Sequence, residues 1–386
     1  MQDVVITQVG LVTSGGVGRE AAWQALVEGR SGLKTIGLFP TAEFTTRSAY
    51  EVAPWSASTY WKSRSVAYYS RSTQFAYKAA EECLESVPRE ARAALGVVLG
   101  SQFSTVHNYH KLLEEPDFMT PVKFLSTLPS SIPTNVSIAC GLRGISTALS
   151  SSVAGLHALS CAMDLVRGGY GDALLAGGAE ELSRDVYGGC HLARALAGQD
   201  GGEEACRPLD PAHNGLVPGE GGAVLLVESA DGAAAAGRGA VAELAGWGTA
   251  YAPGLVPGHG NRAAVEAGTR AIAQALSDAG LTAADVGAVF TGANGVPEGD
   301  AVAAEVLGRA VGAAVPVVAL KAWTGELFGA FGAVAAAAGA LALRDGVLPG
   351  GRAAAGLDTV LVHDFSCEGN HAALVLTRRA ARAWRN

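Results

Sequence analysis

Thr147-Ala148-Leu149-Ser150-Ser151-Ser152 and Thr324-Gly325-Glu326 are the two short stretches on which the reading of this chain turns. Each leads into a long run of small apolar residues. The first run ends Leu165-Val166-Arg167-Gly168 and is followed by strand-like residues 172–176. The second ends Ala342-Leu343-Arg344-Asp345-Gly346 and is followed by Val347-Leu348. Leu149 and Glu326 lie 177 positions apart, and so do Arg167 and Arg344. That shared offset predicts two copies of one α/β unit, with the entries of two buried helices at equivalent points. Chance similarity of two alanine-rich helices is the competing reading.

Working outward, strand-like and helix-like segments alternate. Residues 4–9 form a β-branched run, 10–18 a glycine-punctuated loop, and 20–28 a helix with Ala22, Trp23 and Leu26 on one side. Strands are expected at 95–99, 174–176 and 224–227. The Ala/Gly-rich stretch 230–239 reads as a join, after which come a strand at 240–244, a helix over 262–279 and a strand at 286–291. Such alternation argues for α/β layers, divided into halves at 1–235 and 236–386.

Composition excludes several classes. Of 386 residues, 49% are apolar, enough for a large core, and 51 are glycine, which favours close helix–sheet packing. A net charge of −8 with 17% charged residues offers no nucleic-acid face. The opening Gln2-Asp3-Val4-Val5 lacks the basic region of an export signal. Residues 144–163 and 327–343 approach membrane-span length, but buried helices fit both better, so no membrane partner is expected. The six cysteines form no C-x-x-C pair, so neither zinc nor a disulfide framework is expected and a cytoplasmic setting is the default. Cys140 and Cys367 read as small buried hydrophobes. His107 and His110 read as a surface pair rather than metal ligands. The glycines at 15–18 and 219–222 lack the context of a phosphate loop, so no cofactor is implied.

Several motifs occur in an order that resembles the β-ketoacyl synthase family of the thiolase fold. Gly16-x-Gly18, Trp23-x-Ala25-Leu26 and Gly29-x-Ser31-Gly32 look like its N-terminus. Thr147-Ala148-Leu149-Ser150-Ser151-Ser152 is similar to the nucleophile segment T-A-C-S-S-S, and His157 sits where many members also have histidine. Gly177-Gly178-Ala179-Glu180, Arg207-Pro208-Leu209-Asp210, Gly215-Leu216-Val217-Pro218-Gly219-Glu220-Gly221, Pro297-Glu298-Gly299-Asp300, Lys321 with Gly325, and Asn370 continue the series. The resemblance implies an α/β thiolase fold with a duplicated αβαβα layering.

It also implies that the catalytic residues are gone. The family's cysteine falls on Leu149, its first histidine on Gly292 and its second on Glu326. The family's glutamate after the G-D pair falls on Ala303, and its Phe-Gly-Phe-Gly-Gly turn reads Asp364-Phe365-Ser366-Cys367-Glu368-Gly369. Leucine has no nucleophile to accept an acyl group. Glycine offers no donor to a developing enolate oxygen, and an ionised glutamate repels it. No catalytic residue is therefore assigned; Lys321 and Asp300 read as architecture, and Glu326 as a carboxylate favoured at a helix start. Ser150, Ser151 and Ser152 need a base within reach to act as nucleophiles.

Within the family this pattern resembles the chain-length factors of type II polyketide synthases, although the better-known members carry glutamine where this chain has Leu149. That resemblance implies a catalytically silent subunit. It pairs as a heterodimer with an active, Cys-containing ketosynthase, receives a chain tethered to acyl carrier protein, and shapes the tunnel for a growing polyketide or polyene. Met119, Phe124, Leu125 and Leu128, in the segment 117–133 bounded by prolines, would wall that tunnel together with Leu149 and Ser150. Two other readings stay open: a repurposed acyltransferase or hydrolase using Ser150 or Glu326, and a carrier-protein-binding homodimer.

Overall fold

Alternation of side chains along a strand lets one sheet bury both faces, and here each face finds a helical layer. The computed structural model describes residues 2–103, 105–114, 120–253 and 262–378, apart from the side chains of Arg64 and Val122. The first half contributes β1 (Val4–Thr13), α1 (Arg71–Cys83), β2 (Gly96–Ser101), α2 (Ser131–Cys140), β3 (Ser146–Ser150), α3 (Ala154–Arg167), β4 (Ala173–Glu180) and β5 (Gly221–Ser229). The second contributes β6 (Ala242–Tyr251), α4 (Arg262–Ala279), β7 (Ala288–Thr291), α5 (Pro297–Ala310), β8 (Val317–Val318), α6 (Phe331–Asp345), β9 (Thr359–Phe365) and β10 (Asn370–Thr377).

The strands run β3-β2-β4-β5-β1 and then β6-β10-β9-β7-β8, an order repeated about the β1–β6 seam. At that seam Val4–Ile6 pair antiparallel with residues 242–244. In each half the outer three strands are parallel and the inner two antiparallel to their neighbours. Residue parity then sorts the core. Val97 and Leu99 point to α1 and α2, while Val98 points the other way, to α3 and α6. Val289 and Leu361 point to α4 and α5, while Phe290 and Val362 point to α3 and α6. Helices, sheet, central helices, sheet and helices therefore form the five αβαβα layers of a mixed α/β thiolase-type fold.

The central pair decides the geometry. A Cβ on Gly155 would sit 2.6 Å from the Ala333 backbone nitrogen, and one on Gly332 would sit 2.9 Å from that of Leu156. These glycines are 177 positions apart, so both copies use the same device to bring α3 and α6 into contact. Every residue from Phe331 to Leu343 is buried, so the helical run Phe328–Asp345 that contains α6, although long and apolar enough to cross a membrane, is the core helix between the two helix-facing halves of the sheet. It ends on Gly346 in the left-handed conformation (φ 67°).

Three local expectations change. Strand β1 continues to Thr13 through the glycine-punctuated stretch. The join contains a short helix, Ala230–Ala235, capped by Ser229 Oγ accepting from Gly232 N. Val347–Leu348 pairs only with Arg352–Ala353 in a separate ribbon; the strand equivalent to β4 is β9.

Candidate functional site

Five segments converge where the central helices begin: 101–103 after β2, 149–152 before α3, 292–294 after β7, 321–328 before α6, and 364–370 between β9 and β10. Hydrogen bonds tie them. Ser152 Oγ donates to Ser366 Oγ (2.6 Å) and Asn370 Nδ2 to Ser152 Oγ (3.3 Å). Gln102 Nε2 donates to Glu368 (3.2 Å), and Lys321 Nζ donates to the Gly292 carbonyl (2.8 Å). The positions expected from the motifs thus come together, with Leu149 and Glu326 each five residues ahead of their helix.

Glu326 is fully engaged. Its Oε2 accepts from Lys321 Nζ and from Asn294 Nδ2, both at 2.8 Å, and its Oε1 accepts from Phe328 N at 2.8 Å. Lys321 is only 2% exposed and also lies over the Phe331 ring, 4.3 Å from its centroid. Glu326 does stand at a helix start, since a 3-10 turn, Phe328–Ala330, runs directly into α6 and its first N–H is the one Glu326 accepts, and the carboxylate also belongs to a buried ion pair. Phe328 itself has φ 46°, a left-handed conformation that costs a non-glycine residue roughly 1–2 kcal/mol.

Gly292 faces a second carboxylate. A Cβ there would lie 2.6 Å from Asp364 Oδ1, so the space an imidazole would need is taken. Burial pushes the Asp364 carboxyl up to about 7, Lys321 beside it pulling the other way and Glu326 adding to the rise. Asp364 Oδ1 accepts from Phe365 N (3.0 Å), whereas Oδ2 has no partner among the described residues. The sequence marked Asp364 only as a departure from a glycine-rich turn.

Leu149, the last residue but one of β3, lies opposite Gly100 and is half-buried against the central core. The serine run starts on this strand and not on the helix, which begins at Ala154. Ser150 is exposed. Ser151 has the base that the sequence did not reveal: its Oγ lies 3.2 Å from His157 Nδ1, and His157 Nε2 lies 3.4 Å from Thr249 Oγ1, which donates to the His371 carbonyl (3.1 Å). Burial lowers the His157 pKa, keeping the ring neutral near pH 7.

The expected tunnel-wall residues are less buried than a wall in a single subunit requires. Phe124 is 50% exposed, Leu125 58% and Leu128 39%, on and after a short helix, Pro121–Leu125. Met119 lies outside the described residues. Ile138 on α2 (70% exposed) and Ile145 before β3 belong to the exposed large apolar residues of this half as well. β3 is one of the two edge strands of the sheet, β8 being the other.

Two further carboxylates hold backbone. Glu180 accepts from Ser101 Oγ, Gln102 N and Phe103 N (2.7–3.0 Å), and burial raises its pKa to about 8. Asp300 accepts from Leu209 N, Asn294 N, Gly295 N and His213 Nδ1, the role in architecture expected of it. His110 bridges Glu114 and Asp185, and Cys367 proves exposed, against expectation.

Comparison with known proteins agrees with this geometry. The profile described as Beta-ketoacyl synthase, N-terminal domain, matches residues 1–233, and that of the C-terminal domain matches residues 242–353. A 3-oxoacyl-[acyl-carrier-protein] synthase 2 of Vibrio cholerae serotype O1 is 32% identical over 90% of this chain and 87% of its own. The actinorhodin polyketide putative beta-ketoacyl synthase 2 of Streptomyces coelicolor is also 32% identical, over 89% and 86%. Among solved structures, a beta-ketoacyl synthase from Burkholderia phymatum superposes with TM-score 0.86 at 25% identity, covering 98% of this chain and 100% of that one. The ishigamide ketosynthase/chain length factor superposes at 0.88 with 24% identity, covering 97% and 99%. With the fold, the converging motif positions and these matches in agreement, the chain belongs to the β-ketoacyl synthase family.

Proposed function

We propose that this chain is a chain-length factor, a silent subunit that pairs with an active Cys-containing ketosynthase in the cytoplasm and shapes the space for a chain delivered on acyl carrier protein. The observation that carries the reading is the Glu326 carboxylate, both of whose oxygens are occupied by Lys321, Asn294 and Phe328 N–H, together with a Leu149 that has no nucleophile. Such a centre has no thiolate to load and no free donor for an enolate oxygen. The exposed β3 edge and the apolar Phe124, Leu125 and Ile138 suit burial against a partner of the same fold, since C2-like pairing buries equivalent patches. Unlike nucleophilic residues, these have a use only when a second subunit covers them.

The Ser151–His157–Thr249 chain favours a second reading, acyl transfer onto Ser151. One pair of measurements separates the two. Co-expression with a ketosynthase encoded alongside it should give a 1:1 complex, and intact-mass analysis of this chain after incubation with acyl-carrier thioesters should show no adduct. A stoichiometric acyl adduct on Ser151, abolished by His157→Phe, would replace the first reading with the second. A homodimer that ignores every such ketosynthase would remove the first reading as well.

A further inference from the structure

A cavity of about 410 Å3 opens on the solvent side of α5, and neither Leu149 nor Glu326 lines it. Helical spacing accounts for the space. Ala301, Ala304 and Gly308 are exposed and fall on one face, three and four residues apart, while Val302 and Val306 pack into the core. Side chains of a methyl group or less leave room between that face and the segment 312–317, whose Val315 and Val317 also line the cavity. The charged residues of the helix surface, Glu298, Glu305 and Arg309, do not line it.

The polar side chains of the lining are a single pair, His213 and Asp300. Asp300 is 2% exposed and accepts four hydrogen bonds. Its Oδ2 takes Leu209 N (2.6 Å) and His213 Nδ1 (2.9 Å), and its Oδ1 takes Asn294 N and Gly295 N (both 3.1 Å). A carboxylate that only accepts assigns the proton of the neutral imidazole to Nδ1, which leaves Nε2 as an acceptor. Nε2 has no partner among the described residues. The same carboxylate holds Leu209, another lining residue, in a left-handed backbone (φ 62°). One buried group thus positions both an apolar and a polar part of the wall.

We propose that this cavity binds a small phenol, its ring along the face of Ala301, Ala304 and Gly308 and its O–H donated to His213 Nε2. An unpartnered acceptor in an apolar space selects a donor, because a ligand lacking one would strip water from Nε2 and return nothing. No lysine or arginine lines the cavity and Asp300 stands directly behind the imidazole, so an anionic ligand is disfavoured. A face of methyl groups and hydrogens is flat, and a flat ring makes more contacts with it than a branched body does. The volume falls within the range of small-molecule sites, roughly 300–1,000 Å3. The inference is independent of the chain-length reading, since every group it uses belongs to this chain and lies outside the converging loops at Leu149.

The test titrates 2-naphthol into the purified full-length chain at pH 7.5, followed by the probe's own fluorescence, with 2-methoxynaphthalene as the same ring without the O–H. The naphthol should bind at least tenfold more tightly than its methyl ether. His213→Phe keeps a ring and removes the acceptor; it should weaken the naphthol alone and erase that difference. Ala304→Trp fills the space from an exposed helix position, so it should weaken both probes at least tenfold while circular dichroism and the unfolding midpoint stay unchanged. Should His213→Phe fail to fold, the probe pair and Ala304→Trp still decide. Equal affinity of the two probes for the unsubstituted chain overturns the assignment of His213 as the reader of the O–H. Naphthol binding unmoved by Ala304→Trp, or no binding of either probe, overturns the site itself.

Discussion

Replacing Glu326 by glutamine removes one charge and keeps the side-chain shape, so it isolates the ion pair with Lys321. At 2.8 Å the gross attraction is ~6 kcal/mol with an effective dielectric near 20. Part of it is offset, because Lys321 retains the Gly292 carbonyl and the Phe331 ring. A glutamine carbonyl can satisfy Phe328 N–H or the Lys321 and Asn294 donors, but not both sides, so a buried donor or an unpaired charge remains. The expected cost is ~3–5 kcal/mol, the range for breaking a buried pair from one side. Lys321→Met should cost a similar amount, and the double variant should recover at least ~2 kcal/mol of the summed losses, since the two changes share one interaction. The assay is urea unfolding followed together by circular dichroism and tryptophan fluorescence, because coincident transitions are needed before a free energy is assigned to a chain of this size. Midpoints should move while the slopes do not. A loss below ~1 kcal/mol for Glu326→Gln, or additivity in the double variant, would refute the claim that this pair holds the converging loops together.

Three other outcomes follow from the same geometry. Burial lowers His371 to about 4 and His363 to about 3, so the unfolded chain takes up protons near pH 6.5 that the folded rings refuse; stability should fall as pH drops from 6.5 towards 4, by at most ~3 kcal/mol for His371. His371→Phe keeps the stack with Phe365 and should make that limb shallower, His363 keeping its share, in unfolding curves at pH 5 against pH 7.5, and an unchanged limb would remove His371 as a cause. Leu149→Cys with Gly292→His and Glu326→His should still give no condensation, because Asp364 occupies the first imidazole's place; product formed by this triple variant without change at Asp364 would contradict the contact at Gly292. Phe124→Ala should cost the isolated chain under ~1 kcal/mol, as it is half exposed, yet weaken the ketosynthase complex about tenfold in sedimentation. Equal complex affinity would take Phe124 out of the interface.

The duplicated architecture was legible because burial writes itself into spacing. The offset that aligns Leu149 with Glu326 also aligns the starts of α3 and α6 and the contact glycines Gly155 and Gly332. Gly10 misled for the opposite reason. It looks like loop punctuation, but it lies inside β1, where a Cβ would fall 1.9 Å from the Ala79 carbonyl oxygen, so it records the approach of α1 and not a turn. Val347 and Leu348 misled because two β-branched or apolar residues suffice for a ribbon and do not reach the length of a sheet strand. The site was half legible. Motif positions located Leu149, Gly292, Glu326 and Lys321, yet nothing in their spacing says that Asp364 stands against Gly292 or that Asn294 completes the clasp on Glu326. Those partners come from loops far apart in the chain, and no periodicity carries information about where loops meet.

What these loops have in common bears on function. Of the three non-glycine residues with positive φ among the described residues, two, Leu209 and Phe328, donate their N–H to a buried carboxylate, Asp300 and Glu326 respectively. A separate loop, at Gln102 and Phe103, is also held by a buried carboxylate, Glu180. Burying a carboxylate is costly unless its oxygens are satisfied, and Glu180 at about 8 shows how strongly burial weighs on it. This chain has Leu149 where the family's nucleophile falls, and Gly292 and Glu326 where its histidines fall. It nevertheless keeps a strained Phe328 and the buried ion pair that enforces it, at the mouth of the helix where the reaction would occur in a condensing relative. The strain at Phe328 is tied to the Glu326–Lys321 pair, because the N–H that Glu326 accepts is the one the left-handed turn presents to it.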